Sequence, residues 1–358
     1  MSPRSKSAGP TLKHVAERAG VSQATASKVL NGRADVAPGT RERVLQVLDE
    51  AGYRARSSSP AETGRKRVAA IFDGITSQYA ALILDGMVSA AADLGVDVSV
   101  LRTPKDFADP ARKAARSWVH ENQAFTGVIA VTSSLPADMI RTAAQVNLPL
   151  ITIDPADESQ SDLVSISSTD WTGGRSMTEH LLELGHTRIA WIGGPAVSAP
   201  TIERFHGYRS SLERAGIPVD PAICRNGPYS FEAGIEAGRE LMRGSDRPTA
   251  IICASDAIAF GVLEAARRER LEVPRDLSVG GFDDIPQAEW VSPKLTSVRA
   301  PLIGIGRMAI ETILGMSVGK EPPSHHIQLA TQLIVRESTA PPVGAVVPAD
   351  VERAVAVP

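Results

Sequence analysis

Residues 11–32 read TLKHVAERAGVSQATASKVLNG. Leu12, Val15, Ala16 and Ala19 recur at i, i+3, i+4 and i+7, the spacing that lines one face of a short helix with apolar side chains. Gly20 permits a sharp turn, and Val21 can plug the corner. Ser22 is a good N-cap for a second helix carrying Thr25, Ala26, Val29 and Leu30. Asn31 and Gly32 both tolerate the left-handed conformation and end it. Pro38 suits the first turn of a third helix, with Val44, Val47, Leu48 and Ala51 facing inward and Gly52 closing it. Helix, tight turn, helix and a supporting third helix is a DNA-binding arrangement.

Charge agrees. Residues 1–67 hold 13 Lys/Arg and 6 Asp/Glu, a net of +7. The whole chain nets −3, so the remainder carries −10. A basic head on an acidic body points the head at a polyanion. At 358 residues and 43% hydrophobic content, two or three domains are expected and wholesale disorder is excluded. Cys224 and Cys253 are too few for a disulfide framework and lack CxxC spacing for zinc, which fits a reducing cytoplasm. The opening MSPRSKSAGP has no apolar stretch, and 18 apolar residues never run together, so neither a signal peptide nor a membrane span is expected.

From Val68 onward, β-branched runs alternate with amphipathic segments. Strands are expected at 68–72, 96–101, 127–131, 149–154, 163–167, 188–193, 250–255 and 277–283, with helices between them such as Gln78 to Leu94 and Gly173 to Leu184. Such alternation makes parallel sheets covered on both faces, and there are too many strands for one comfortable sheet. The expected fold is therefore an all-α helix-turn-helix head plus an α/β body of two doubly wound parallel-sheet lobes. Ligands of such sheets sit beyond the carboxyl ends of the strands, so two lobes with facing strand ends would frame an inter-lobe cleft.

The head, together with TRERVLQVLDEAGY after it, resembles the LacI/GalR family of bacterial transcription regulators at nearly every position. Residues 167–195, 203–212, 254–265 and 279–302 resemble that family's periplasmic-binding-protein-like body. The resemblance implies a helix-turn-helix domain at 11–56 after a disordered 1–10. It also implies a hinge or linker at 57–67, an effector-binding and dimerisation body at 68–339, and a disordered tail at 340–358. Gln23, Ala24 and Lys28 fall at the family's base-reading positions: Gln can bond an adenine edge, Lys guanine O6 and N7, and Ala can touch a thymine methyl. Ser22, Thr25, Asn31 and Tyr53 fall where the family meets phosphate. The chain departs from the family in two places. Ala37 stands where a capping Ser is common, and RARSSSPAETGRKR after Tyr53 lacks the hinge's Pro-Asn pair and its wedge leucine. Composition makes that stretch a flexible basic linker whose Arg54, Arg56, Arg65, Lys66 and Arg67 can still meet phosphates.

For the effector, the resemblance places Arg204 at the ligand-binding arginine and Asp283 and Asp154 at strand ends facing the ligand. A guanidinium fork can hold two hydroxyls or a carboxylate. Asp284 is read as capping the next turn. Ser255 replaces a more usual Asn and leaves room for a larger ligand or a water. Tyr229 and Tyr79 occupy aromatic positions, with Trp171 and Trp290 as weaker candidates. The pair His325 and His326 lacks partners at metal spacing, and His186 lies in a helix-end turn that resembles a structural signature, so neither a metal site nor a catalytic residue is expected. GxGxxG and GxxxxGK[ST] are absent, so no nucleotide cofactor is expected either.

The leading reading is a ligand-responsive repressor of carbohydrate-utilisation genes. It would bind double-stranded operator DNA as a cytoplasmic homodimer, modulated by a sugar or short oligosaccharide in the cleft. One alternative is a sugar-acting enzyme using carboxylates such as Asp154, Asp256 and Asp283, although a DNA-reading head has no use there and no G-x-S-x-G occurs. Another is a regulator whose effector is a partner protein.

Overall fold

The computed structural model describes residues 11–30, 36–51, 65–104, 114–156, 163–243 and 246–344. The expected segment 1–10, most of the linker 57–67 and most of the tail 340–358 lie outside these described residues.

The head consists of α1 (Leu12–Ala19), α2 (Gln23–Leu30) and α3 (Pro38–Glu50). Thr11 caps α1 by accepting the His14 amide at 3.3 Å, and Gly20 ends it in the left-handed region at φ 65°. Ser22 caps α2, its hydroxyl accepting the Thr25 amide at 3.0 Å. At α3 no side-chain oxygen is available from Ala37; its carbonyl instead receives the Thr40 and Arg41 amides at 3.0 Å. Val15, Ala16, Ala19, Ala26, Val29, Val44, Val47 and Leu48 form one buried cluster, so the apolar periodicity of all three helices converges on one core. Arg43 ties α3 to the end of α1 by donating from Nε to the Ala19 carbonyl at 3.1 Å.

The body contains two six-stranded sheets. The first holds β1 (Arg67–Phe72), β2 (Asp97–Arg102), β3 (Gly127–Val131), β4 (Leu150–Ile153), β5 (Val164–Ser168) and β11 (His326–Leu329), in the order β11-β5-β4-β3-β1-β2. The second holds β6 (Ile189–Gly193), β7 (Cys224–Asn226), β8 (Ala250–Cys253), β9 (Ser278–Asp283), β10 (Thr296–Arg299) and β12 (Gln332–Ile334), in the order β12-β10-β9-β8-β6-β7. Pairing is parallel from β7 through β6, β8 and β9 to β10, and only β12 runs antiparallel at its edge. In β3, β4, β6, β8 and β9 every residue is buried, whereas β2, β7, β11 and β12 alternate or lie open. Unbroken apolar runs thus mark strands covered on both faces, and half-polar ones mark edges. In both sheets the strand order reverses beside the first strand, at β1/β3 and at β6/β8, the switch points where such sheets open a crevice.

The helices are α4 (Gln78–Leu94), α5 (Ala114–Glu121), α6 (Ala137–Gln145), α7 (Asp170–Glu183), α8 (Ala199–Arg214), α9 (Phe231–Met242), α10 (Asp256–Arg268) and α11 (Leu302–Ser317). The chain divides into two compact units. One is drawn from Met1–Gly74, Met87–Thr152 and Ala309–Pro323, the other from Ile75–Gly86, Ile153–Met308 and Ser324–Pro358. In the second unit, Ile192, Ile251 and Val279 of the sheet pack with Ile258, Val262 and Ala265 of α10 and Leu241 of α9.

Helix α7 begins at Asp170, three residues before the start expected at Gly173. The reason is packing. A Cβ on Gly173 would meet the Phe282 ring at 2.6 Å, and one on Gly174 the Arg204 carbonyl oxygen at 2.2 Å. These glycines mark a helix pressed backbone to backbone against α8 rather than a turn. His186 is structural, as its sequence context implies: Nδ1 meets Thr249 Oγ1 at 2.8 Å, and Nε2 lies 3.1 Å from Ser278 Oγ and 2.9 Å from the Ala340 carbonyl.

Candidate functional site

On α2, Ala26 and Val29 enter the head core while Gln23, Ala24 and Lys28 are exposed, so the three expected base-reading side chains share the outward part of one helix. An amide, a methyl and an ammonium there match the donor and acceptor edges of a major groove. Ser22 is exposed, and its hydroxyl lies 2.8 Å from that of Thr25, placing both at the N-terminal turn of α2, where orphan amides favour phosphate. Asn31 and Tyr53 lie outside the described residues. Of the basic linker residues, Arg65 pairs with Asp97 at 3.3 Å and Arg67 opens β1, its guanidinium 5.2 Å from the Phe125 ring centre.

The second unit carries a buried polar centre. Arg204, on α8, is 3% exposed. Its Nε donates to Asp170 Oδ1 at 2.6 Å and its Nη1 to the Ala254 carbonyl at 2.5 Å. Nη1 also lies 3.6 Å from Asp283 Oδ1. The guanidinium carbon sits 3.6 Å over the Phe282 ring, a cation–π contact that closes one face of the fork. The expectation that the fork meets a ligand directly therefore needs revision: two of its donors are held by the protein. Burial alone would weaken the guanidinium as a cation, but Asp170 and Asp283 overcome that and hold it charged.

Asp154 follows β4 and Asp283 ends β9, the strand-end positions expected of them. Both are buried, with backbone φ of 43° and 103°. Such conformations cost a non-glycine residue about 1–3 kcal/mol and persist where the surroundings over-determine them, commonly at binding sites. Tyr79 donates its hydroxyl hydrogen to Asp154 Oδ2. The other oxygen, Asp154 Oδ1, is buried and accepts no hydrogen bond, and Asp283 Oδ1 likewise. Burial pushes Asp154 up to about 7, with Asp170 adding to it and the Tyr79 hydrogen bond and Arg204 opposing. Burial also pushes Asp283 up to about 7, against Arg204 and together with Asp170 and Asp154. Each carboxylate is poorly solvated and repelled by its neighbours, so each gains from a donor brought close.

The remaining candidates take varied places. Tyr229 is 38% exposed, and its hydroxyl lies 2.6 Å from Thr201 Oγ1. Its ring lies against Gly194, where a Cβ would meet it at 2.2 Å, leaving the other face for stacking. Trp171 is exposed on α7, with Arg175 5.8 Å from its ring centre. Ser255 caps α10, accepting the Ile258 amide at 3.4 Å. Its hydroxyl thus serves the helix start. Trp290 is 73% exposed. Asp284 caps no turn: it accepts from Arg299 at 2.7 Å and Arg336 at 2.6 Å, bracing the loop after β9. Sequence reasoning missed Asp170, which holds Arg204 and accepts from Ser168 Oγ at 3.0 Å. Its signal was the capped start of α7, hidden by the glycines that follow. Asp256 accepts from Ser297 Oγ at 2.6 Å and the Ile285 amide at 2.8 Å, so both its oxygens are engaged. Among the described residues, no group of three His, Cys, Asp or Glu side chains is placed to hold a metal, and no helix is long and apolar enough to cross a membrane.

Comparison with known proteins agrees with both parts. Residues 11–55 match bacterial regulatory proteins of the lacI family, and residues 178–339 match a periplasmic binding protein-like domain. The chain is 31% identical over 338 residues to the HTH-type transcriptional regulator DegA of Bacillus subtilis, covering 92% of this chain and 98% of DegA. Among solved structures it is similar to the CelR–cellobiose complex, with TM-score 0.69, 27% identity and coverage of 92% of this chain and 99% of that one. It is also similar to the Lac repressor dimer bound to operator and the anti-inducer ONPF, with TM-score 0.68, 27% identity and coverage of 93% and 100%.

Proposed function

Since the chain belongs to the lacI family of bacterial regulatory proteins, we propose that it is a cytoplasmic repressor of carbohydrate-utilisation genes that grips operator DNA as a homodimer under the control of a sugar. Residues 11–56 form the reading head, 57–67 the tether and 68–339 the sensing and dimerising body. Gln23, Ala24 and Lys28 read bases; Ser22, Thr25, Asn31 and Tyr53 set register on phosphates. Arg204, Asp283 and Asp154 form the polar floor of the effector site, where two lobes close on a ligand. Tyr79 and Ser255 hold that floor in place, and Tyr229 and Trp171 offer ring faces.

One observation carries the effector reading: Asp154 Oδ1 and Asp283 Oδ1 are buried acceptors without a donor, beside a guanidinium already locked in place. A buried carboxylate oxygen left unpaired is costly, and a polyhydroxylated ring supplies the missing donors. The structurally similar CelR, solved with cellobiose, supports a short oligosaccharide. The sugar is bound and not turned over: Asp256, one carboxylate an enzyme would need, has both oxygens engaged within the fold. Ligand binding shifts DNA affinity only by the difference in its affinity for the two arrangements of the body.

The test is fluorescence anisotropy of the full chain on fragments from its own genome against scrambled competitor, with cellobiose, xylobiose and other short oligosaccharides titrated in. A preferred fragment whose affinity moves with one of the sugars is the expected result. Equal affinity for every fragment, with or without sugar, would sink the reading.

A further inference from the structure

The charge of the effector can be read from the same centre; the inference rests on the effector reading above. Donors around Arg204 already have acceptors. Arg204 Nε is held by Asp170 and Nη1 by the Ala254 carbonyl, the Tyr79 hydroxyl serves Asp154, and the Tyr229 hydroxyl meets Thr201 and Ser198. Acceptors are in the opposite state. Asp154 is 3% exposed and Asp283 7%, and the Oδ1 atom of each accepts nothing. Three carboxylates, those of Asp154, Asp170 and Asp283, surround one guanidinium whose face is closed by Phe282.

We propose that this site excludes anions and takes an uncharged or cationic ligand rich in O–H or N–H donors, anchored on Asp154 Oδ1 and Asp283 Oδ1. A phosphate or carboxylate group entering the site would have to displace Asp170 from Arg204 or face Asp154 and Asp283. Like charges at such range in a poorly solvated pocket repel strongly. Hydroxyls and amines meet the reverse situation. Each satisfies an oxygen that has no partner, and a positive amino group also relieves the repulsion that pushes Asp154 and Asp283 up to about 7. Sugar phosphates, uronates and aldonates are therefore rejected, while neutral oligosaccharides and amino sugars are accepted.

The experiment is isothermal titration of the full chain with matched sets: cellobiose against cellobionate, galactose against galacturonate, and glucose against glucosamine and glucose 6-phosphate. At least one uncharged or amino compound should bind, and its anionic counterpart should be weaker by about a hundredfold or more. Asp283→Asn should narrow that gap, with the melting temperature recorded to show that the variant is folded. An anionic compound binding as tightly as its uncharged parent would overturn the proposal, and so would silence from every uncharged and amino compound. Operator anisotropy run in parallel separates the two readings. An anionic binder that shifts operator affinity removes the charge rule and keeps the sensor. An uncharged binder without effect on operator affinity keeps the charge rule and removes the sensor.

Discussion

Asp170→Ala would leave the Arg204 guanidinium buried and without the carboxylate 2.6 Å from its Nε. Both side chains are 4% exposed, so water cannot replace the lost partner. Breaking one side of a buried ion pair costs about 3–5 kcal/mol. The low end applies here. Asp283 Oδ1 remains 3.6 Å from Nη1, and it ionises more readily once Asp170 no longer repels it. A loss near 3 kcal/mol, at about 2–4 °C per kcal/mol for a unit of this size, lowers the melting temperature by about 6–12 °C. Asp170→Asn keeps an acceptor for Nε and the same shape, so it should lose only about 1–2 kcal/mol. Urea unfolding followed by circular dichroism measures both. Non-specific DNA binding should be unchanged, because the head has its own core. A loss below about 1 kcal/mol for the alanine variant, or an asparagine variant as damaged as the alanine one, would refute the account of how Arg204 is held.

Gly207→Ala would place a Cβ 2.1 Å from the Trp171 carbonyl oxygen. That neighbour is backbone, so α7 and α8 must part, with an expected loss of about 3 kcal/mol or more; an unchanged melting temperature would show that the helices do not touch there. For Asp154, burial raises the folded value to about 7, so the fold keeps a proton that the unfolded chain has released. Stability from this group is therefore full below the ordinary carboxylate range and lost as pH rises towards 7. Asp154→Asn should match the parent near pH 4 and exceed it at pH 8, on the order of 3 kcal/mol in urea titrations, with no gain at pH 8 as the contrary result. In the head, Ser22→Ala removes the cap on the Thr25 amide and should cost about 1 kcal/mol of stability. Lys28→Ala should leave stability intact, cost about 1–3 kcal/mol of operator affinity and relax preference at one base pair, read by anisotropy on single-base variants.

Much of this molecule is legible from residue order because its signals are local. Leu12, Val15, Ala16 and Ala19 specify a helical face whatever surrounds them, and Ser22 and Gly20 act through their own backbone neighbours. The unbroken runs that became β3, β4, β6, β8 and β9 are apolar because both faces are covered, so alternation with helices was enough to give two parallel sheets. The edge strands β7, β10 and β12 escaped notice, being short or entering late in the chain, where no periodicity develops. The polar centre was only half visible. Arg204, Asp154 and Asp283 could be named, but their partners could not: Asp170 lies 34 residues from Arg204, and Ala254 lies 50. Gly173 and Gly174 read as a turn until α8 and Phe282 fill the space a side chain would need. Residue order by itself determined the elements, the head and the chemical type of the site. Which oxygens are satisfied, and which wait for a donor, was decided only when distant segments packed, because hydrogen bonding and desolvation depend on neighbours that sequence separation does not reveal.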